Sequence, residues 1–176
     1  QRIKEFSDSL IQQIDTMSSI ATAFSDFAEM PEPKKEELNV VEVVELAIDI
    51  FNRDQISFNP SSSKIQANFD RTQLIRVITN LLKNAFQAIP EDRTPEIAVN
   101  ISENENDVNI SISDNGYGIS KTDMEKIFEP SFTTKSSGMG LGLSMIKSII
   151  TAYNGSITFT SKSNVGTTFN ITFPKK

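Results

Sequence analysis

Residues 97–118 read IAVNISENENDVNISISDNGYG, two runs in which apolar and polar side chains alternate on either side of a polar turn at residues 103–107. Alternation with a period of two is typical of strands with one buried face, so this stretch predicts a β-hairpin. Because the other face of each strand carries Asn and Ser, helices are expected to cover only one side of the sheet. The sequence therefore predicts a two-layer α/β sandwich of the α+β class, with a mixed, mostly antiparallel sheet.

The sequence around this hairpin continues as short strands and amphipathic helices. Asp70 can cap a helix from Arg71 to about Ile89, because apolar residues recur there every three or four positions. The other predicted elements are a helix over Val40–Phe51, strands at 56–58 and 65–69, a helix over Gly142–Tyr153 and a closing hairpin over 157–173. We expect residues 38–176 to form one compact domain.

Residues 1–31 carry a heptad pattern instead. Apolar residues fall seven apart from Ile3 to Phe24, which predicts one long helix with an apolar stripe. Such a stripe can pack on the helix's own domain, or it can form half of a helical hairpin that dimerises into a four-helix bundle. Prolines at 31 and 33 stop the helix, so residues 32–37 are predicted to be a linker.

Composition excludes several kinds of chemistry. The 176 residues include 23 acidic and 17 basic side chains, and the formal charge of −6 argues against a nucleic-acid partner. The chain has no Cys and no His, which removes disulfides, thiolate sites and imidazole acids or bases. No apolar run approaches the length of a membrane span, so we expect a cytoplasmic domain, attached to a membrane only through upstream regions if at all.

Five of the seven glycines lie between Gly116 and Gly142. The first group, Asp114 to Gly118, follows a predicted strand and is either an ordinary tight turn or the floor of a pocket. In the second case the Asp114 carboxylate would accept a hydrogen bond from the exocyclic amine of adenine and would repel the oxygen of guanine.

The second glycine group, Gly138, Gly140 and Gly142, comes immediately before a predicted helix. Backbone N–H groups at a helix start favour anions, so this group predicts a phosphate cradle that has neither the Walker nor the Rossmann spacing. Between the two groups, residues 119–137 have little regular signal and are predicted to form a lid. Lys135 in this lid either reaches a terminal phosphate or is an ordinary surface charge.

Three amides lie on the helix that precedes the hairpin. Asn80, Asn84 and Gln87 fall at positions i, i+4 and i+7, which places them on one polar ridge. The ridge is either a solvent-facing surface or a ligand site in which the Asn84 amide oxygen completes a Mg²⁺ ion held mainly by phosphates and water.

In this order and spacing, the motifs resemble the catalytic ATP-binding domain of sensor histidine kinases, which has the Bergerat fold of the GHKL superfamily. The matching segments are its N box at 80–85, first glycine box at 114–119, F box at 128–135, second glycine box at 138–143 and closing strand at 166–169. Residues 17–33 look like the second helix of the dimerisation and phosphotransfer bundle, especially of the NtrY/NtrB type.

The resemblance implies ATP and Mg²⁺ as ligands. It makes Asn84 the Mg²⁺ ligand, Asp114 the adenine selector and Lys135 the lid cation. The implied nucleotide-binding residues are Asn80, Lys83, Asn84, Gln87, Asp114, Gly116, Gly118, Ile119, Lys135, Gly138, Met139, Gly140, Leu141, Gly142, Leu143 and Thr167.

One departure from the family pattern concerns the acceptor. The family phosphorylates a His on the first bundle helix, and this chain has no His. The resemblance thus implies that the chain donates the γ-phosphoryl group of ATP to a His on a helix outside it, for relay to a response-regulator Asp, within a homodimer formed through the bundle. We expect the chain alone not to phosphorylate itself.

Two alternatives stay open at this point. The hydrolysing members of the superfamily place a Glu four residues before the metal-binding Asn, where this chain has Asn80. A non-catalytic module that senses nucleotide or only dimerises would keep the pocket without transferring phosphate.

Overall fold

A computed structural model describes residues 14, 17, 34–130, 132–133 and 140–176. The prediction of a long helix over residues 1–31 lies outside these residues, apart from Ile14 and Met17, which are helical and exposed. The remaining elements, in chain order, are β1 (Glu36–Asn39), α1 (Val40–Ile48), β2 (Ile56–Pro60), β3 (Gln66–Phe69), α2 (Arg71–Ala88), β4 (Ile97–Glu103), β5 (Asp107–Asp114), α3 (Gly142–Ala152), β6 (Ser156–Lys162) and β7 (Gly166–Pro174).

Five strands form the main sheet in the order β2-β4-β5-β7-β6. The β2–β4 pair is parallel and the other three pairs are antiparallel. At the centre, Ile110 lies opposite Ile101 on one side and Ile171 on the other. On β5, Val108, Ile110 and Ile112 are buried, whereas the alternate residues are half-exposed. The predicted two-layer sandwich with a mixed, mostly antiparallel sheet is confirmed.

The predicted long helix is present as α2. Its start is capped by Asp70, whose Oδ1 accepts a hydrogen bond from the Gln73 amide at 3.0 Å. Its apolar stripe is buried against the sheet and α1, as expected from the 3.6-residue period. The buried apolar residues are Leu74, Val77, Ile78, Leu81, Leu82 and Ala85.

The first helix is shorter than predicted. We expected it to continue to Phe51, but α1 ends at Ile48, where the Phe51 amide donates to the Ile48 carbonyl at 2.9 Å. This turn lets the Phe51 ring stack on Phe86 of α2, with ring centroids 5.5 Å apart. The tertiary contact therefore outweighs the helical pattern of the sequence.

A short strand that the sequence did not predict lies before α1. Within this strand, β1, Leu38 is buried and pairs opposite Ala67 of the antiparallel neighbour β3. β1 begins at Glu36, inside the segment predicted as a linker. Two glutamates and a single buried side chain give no alternating signal, which is why the strand was missed.

Aromatic rings close the core on the β3 side of the domain. The Phe69 ring stacks on Tyr153 with centroids 3.7 Å apart and tilts against Phe173 at 4.8 Å. These contacts tie β3 to the end of α3 and to β7. In the described part of the chain, no helix combines the length and the hydropathy needed to cross a bilayer.

Candidate functional site

The candidate site is built on one edge of α2. Asn80, Asn84 and Ala88 lie at positions i, i+4 and i+8 and so form a row along the helix, which we call the α2 ridge. Asn80 and Asn84 are half-buried, and the Asn80 amide nitrogen donates to the Arg76 carbonyl at 2.8 Å. Two other predicted ligands on α2, Lys83 and Gln87, are exposed. Gln87, which we predicted on one polar ridge with Asn80 and Asn84, is not counted in the α2 ridge, whose third member is Ala88.

The start of α3 lies against the first residue of this ridge. A Cβ atom added to Gly142 would be 3.4 Å from Asn80 Oδ1, so Gly142 and Asn80 are neighbours. Gly140 has a φ of +66°, a conformation that favours glycine. Leu141 precedes the helix without a side-chain cap, and Leu143 is half-buried. The N–H groups of the first turn thus start beside Asn80.

Ala88, at the other end of the ridge, holds the first glycine group. The Tyr117 amide donates to the Ala88 carbonyl at 2.9 Å. A Cβ atom on Gly116 would lie 2.5 Å from that carbonyl oxygen and 2.9 Å from the Ala88 Cβ. Only a glycine therefore allows the loop to approach α2 this closely.

Asp114 is the last residue of β5, directly opposite Thr167 at the start of β7. Its Oδ1 accepts hydrogen bonds from the Gly116 amide at 2.8 Å and the Thr167 amide at 3.3 Å. Thr167 is buried and Asp114 is half-buried. Two backbone donors on one oxygen fix the orientation of the carboxylate, as an acceptor for an amino group requires.

The first glycine group is also held by the turn between β6 and β7. Gly118 has a φ of +70° and lies against the Lys162 carbonyl. The Ile119 amide donates to Ser161 Oγ at 2.8 Å, and Ser161 Oγ lies 2.9 Å from Thr167 Oγ1. The backbone of this loop is therefore fixed on both sides before any ligand arrives.

Tyr117 and Gly116 of the first glycine group and Gly142 of the second thus lie against the same ridge, at residues eight positions apart. At 1.5 Å of rise per residue, about 12 Å of helix separates the two contacts, and Asn84 lies midway. This length suits an elongated ligand with a flat group at the Asp114 end and an anion at the α3 end. Three predicted ligands, Lys135, Gly138 and Met139, lie outside the described residues.

The oxygen donors of the α2 ridge suit a metal ion that is coordinated mainly by a bound nucleotide and water. Within the described residues, no three Asp or Glu side chains come together in a way that could hold an ion, so this part of the chain offers no carboxylate cage. A single Asn amide oxygen on the ridge matches a Mg²⁺ ion that takes its other oxygens from phosphates and water.

A family model described as "Histidine kinase-, DNA gyrase B-, and HSP90-like ATPase" matches residues 69–176, more than half of the chain. The chain belongs to this ATPase family. The matched span contains the α2 ridge, both glycine groups and Thr167, and it excludes β1 and α1.

Sensor kinases are among the relatives of this ATPase domain. Sporulation kinase A of Bacillus subtilis is 41% identical over 112 residues, which cover 64% of this chain and 18% of that kinase. The putative sensor histidine kinase NtrY-like of Rickettsia bellii is 29% identical over 168 residues, covering 93% of this chain and 28% of that protein. The chain therefore spans less than a third of either relative.

A solved structure shows the same architecture. The catalytic domain of the histidine kinase ThkA, in a nucleotide-free form, superimposes with a TM-score of 0.72 at 30% identity, covering 81% of this chain and 96% of that domain. The resemblance to a sensor histidine kinase catalytic domain is thus confirmed, including its NtrY-like relatives. The roles of single residues in the ATPase domain stay predictions.

Sequence reasoning missed several residues that shape the site of this ATPase domain. Ala88 continues the Asn80–Asn84 spacing by four more residues, a signal that was present in the sequence. Ser161 and Arg93 gave no such signal, because their contacts with the first glycine group come from β6 and from the loop after α2.

Proposed function

We propose that this ATPase domain binds Mg-ATP along the α2 ridge and donates the γ-phosphoryl group to a His on a bundle helix outside the chain. The observation that carries the proposal is that Gly142 lies beside Asn80 and the first glycine group is bonded to Ala88 of the same ridge, with Asn84 between them. The relatives are sensor kinases, which supports transfer to His and relay to a receiver-domain Asp.

The adenine end of the nucleotide would lie at Asp114. Its carboxylate, oriented by the Gly116 and Thr167 amides, can accept a hydrogen bond from the adenine amine. Guanine carries an oxygen at the equivalent position, which a carboxylate repels. Gly118 and Ile119 would complete this end, since the absence of a side chain at 118 lets the loop lie against the Lys162 carbonyl, and Ser161 Oγ accepts from the Ile119 amide.

The phosphates would lie at the start of α3. The N–H groups of residues 140–143, together with those of Gly138 and Met139, would face the negative charge at the positive end of the helix dipole. The Asn84 amide oxygen would hold Mg²⁺, which neutralises phosphate charge when bound. We assign Lys135 of the lid to the terminal phosphate, with Lys83 and Gln87 beside the phosphate path.

The absence of a carboxylate on α2 favours transfer over hydrolysis. Residues 72–89 contain no Asp or Glu, and Asn80 stands where hydrolysing relatives have their base. Phosphoryl transfer depends mainly on positioning and charge stabilisation, so such a site can hold ATP until an outside nucleophile arrives. We place the domain in the cytoplasm as part of a homodimeric kinase whose partner is a response-regulator receiver domain.

Calorimetric titration of the chain with ATP, with and without Mg²⁺, tests the nucleotide site. We expect Asn84→Ala to remove the gain in affinity that Mg²⁺ gives. Asn100→Ala, on the solvent face of β4, is the matched control and should leave the titration unchanged. Affinity that is indifferent to Mg²⁺ in the unmodified chain would support the non-catalytic alternative instead.

Transfer is tested separately by mixing the chain with labelled ATP and a bundle-helix protein that carries the acceptor His. An acid-labile label on the acceptor is expected. No label on an acceptor that a full-length relative does phosphorylate would contradict the proposal.

A further inference from the structure

The loop between α2 and β4 holds the first glycine group at several points. Arg93 Nη1 donates to the carbonyl oxygens of both Asn115 and Gly116, the latter at 3.2 Å. The Asn115 side chain donates to the Thr94 carbonyl at 2.9 Å and accepts from the Glu96 amide at 3.1 Å. Arg93 is half-buried, so its charge faces these carbonyls in partly desolvated surroundings.

A single peptide group connects Arg93 to Asp114. The carbonyl of the Asn115–Gly116 peptide accepts from Arg93, and the N–H of the same peptide donates to Asp114 Oδ1 at 2.8 Å. A cation on the carbonyl end polarises the peptide and strengthens its N–H as a donor. It also fixes the plane of the peptide, and therefore the direction in which that N–H points.

We infer that Arg93 is a positioning residue for base recognition: it sets the Asp114 carboxylate through the Asn115–Gly116 peptide. The inference rests on the proposed ATP-binding function, and Arg93 itself need not touch the nucleotide. Arginine suits this task because it stays charged and its Nη1 carries two N–H groups, enough for both carbonyls.

The fold of the turn does not depend on Arg93 alone. The bond from Tyr117 to Ala88 and those of Asn115 to Thr94 and Glu96 do not involve the Arg93 side chain. We therefore expect Arg93→Ala to fold and to change the site through the Asp114 carboxylate rather than through loss of the loop.

The test compares three variants by calorimetric titration with Mg-ATP and Mg-GTP. Arg93→Ala should weaken ATP binding roughly tenfold, the lower end of what hydrogen bonds to charged groups contribute. Arg93→Lys should recover part of this loss. The control is Arg53→Ala, since Arg53 is an exposed arginine bonded to Glu45 and Asp49 of the α1 region, and it should bind ATP like the unmodified chain.

Comparing ATP with GTP distinguishes an effect of Arg93 on the Asp114 carboxylate from a general loosening of the loop. If Arg93 acts through Asp114, Arg93→Ala should lower the ratio of the GTP to the ATP dissociation constant, because GTP does not use that carboxylate as an acceptor. In an Asp114→Asn background, Arg93→Ala should add less than a twofold further loss of ATP affinity, as expected for coupled residues.

Two results overturn the inference. One is an Arg93→Ala variant that binds ATP as tightly as Arg53→Ala, and the other is an equal loss for ATP and GTP. If the unmodified chain takes up no adenine nucleotide, the proposed function is itself wrong and the inference falls with it. Failure of the proposed function is measured on the unmodified chain, and failure of the inference is measured on the Arg93 variants, so the two failures are distinguishable.

Discussion

At the scale of the residue, Tyr153 shows how burial changes chemistry away from the site. It is 4% exposed and stacks on Phe69. Burial raises the pKa of the Tyr153 hydroxyl above its ordinary value of 10.0, and the charge of nearby Asp70 acts in the same direction. The folded chain therefore keeps this proton to higher pH than the unfolded chain does.

The sign of the effect on stability follows from linkage. A raised pKa stabilises the folded state fully below pH 10, and this contribution is lost as the pH rises through the folded-state pKa. The thermal midpoint of the unmodified chain should thus fall more steeply above pH 10 than that of Tyr153→Phe. A parallel decline of the two midpoints would contradict the prediction.

The raised pKa of Tyr153 can also be measured by the ultraviolet absorbance of the phenolate. The chain has two tyrosines, so Tyr117→Phe leaves Tyr153 as the reporting phenol. We expect its titration in the folded variant to be centred above pH 10.

At the scale of the element, the contact between α2 and the first glycine group is a tight steric constraint on the loop. A Cβ at position 116 would lie 2.5 Å from the Ala88 carbonyl, which cannot move without shifting α2. We expect Gly116→Ala to destabilise the domain by about 1–3 kcal/mol and to weaken ATP binding at least tenfold, as overpacking and a displaced loop both act. Urea unfolding and nucleotide titration measure the two effects.

The contrasting variant is Gly142→Ala, which has ordinary space around its new methyl group. Alanine favours helices over glycine, so its unfolding free energy should not fall. Equal destabilisation by the two substitutions would show that the close approach of Gly116 to α2 is not the cause.

Element boundaries show what sequence patterns can and cannot predict. Alternation predicted the strands β4, β5, β6 and β7, the identity of Asp70 predicted the cap of α2, and the period of α2 predicted its buried stripe, because these signals are local. The end of α1 and the strand β1 were not predictable, since the Phe51–Phe86 stack and the pairing of Leu38 with Ala67 depend on distant partners.

The candidate site likewise has residues that the sequence could predict and residues that it could not. The spacing of Asn80 and Asn84 and the two glycine groups were visible in the sequence, and the structure joins them on one ridge. The contacts of Arg93 and Ser161 with residues 115–119 arise from chain reversals and leave no periodic trace.

At the scale of the whole molecule, β1, α1 and β3 belong to the same core as the ATPase family match. Val40, Val43, Val44, Ala47 and Ile48 are all fully buried, although they precede residue 69, where the match begins. We expect residues 34–176 to fold alone and to keep the nucleotide affinity of the full chain within about twofold.

The contrasting truncation, residues 70–176, lacks this buried apolar surface. It should show no cooperative thermal unfolding, because the faces of α2 that pack on α1 would be exposed. Circular dichroism of the two truncations checks the prediction, and a cooperative transition in the shorter one would contradict it.

Ala88 and Asn80 lie on one continuous helix, so the first glycine group and the start of α3 share one supporting element. If the nucleotide lies as proposed, a translation or rotation of α2 would move the base-binding loop and the phosphate-binding loop together. Base selectivity and phosphate transfer would then change together. A small molecule bound beneath either end of α2 would then affect the loops at both ends.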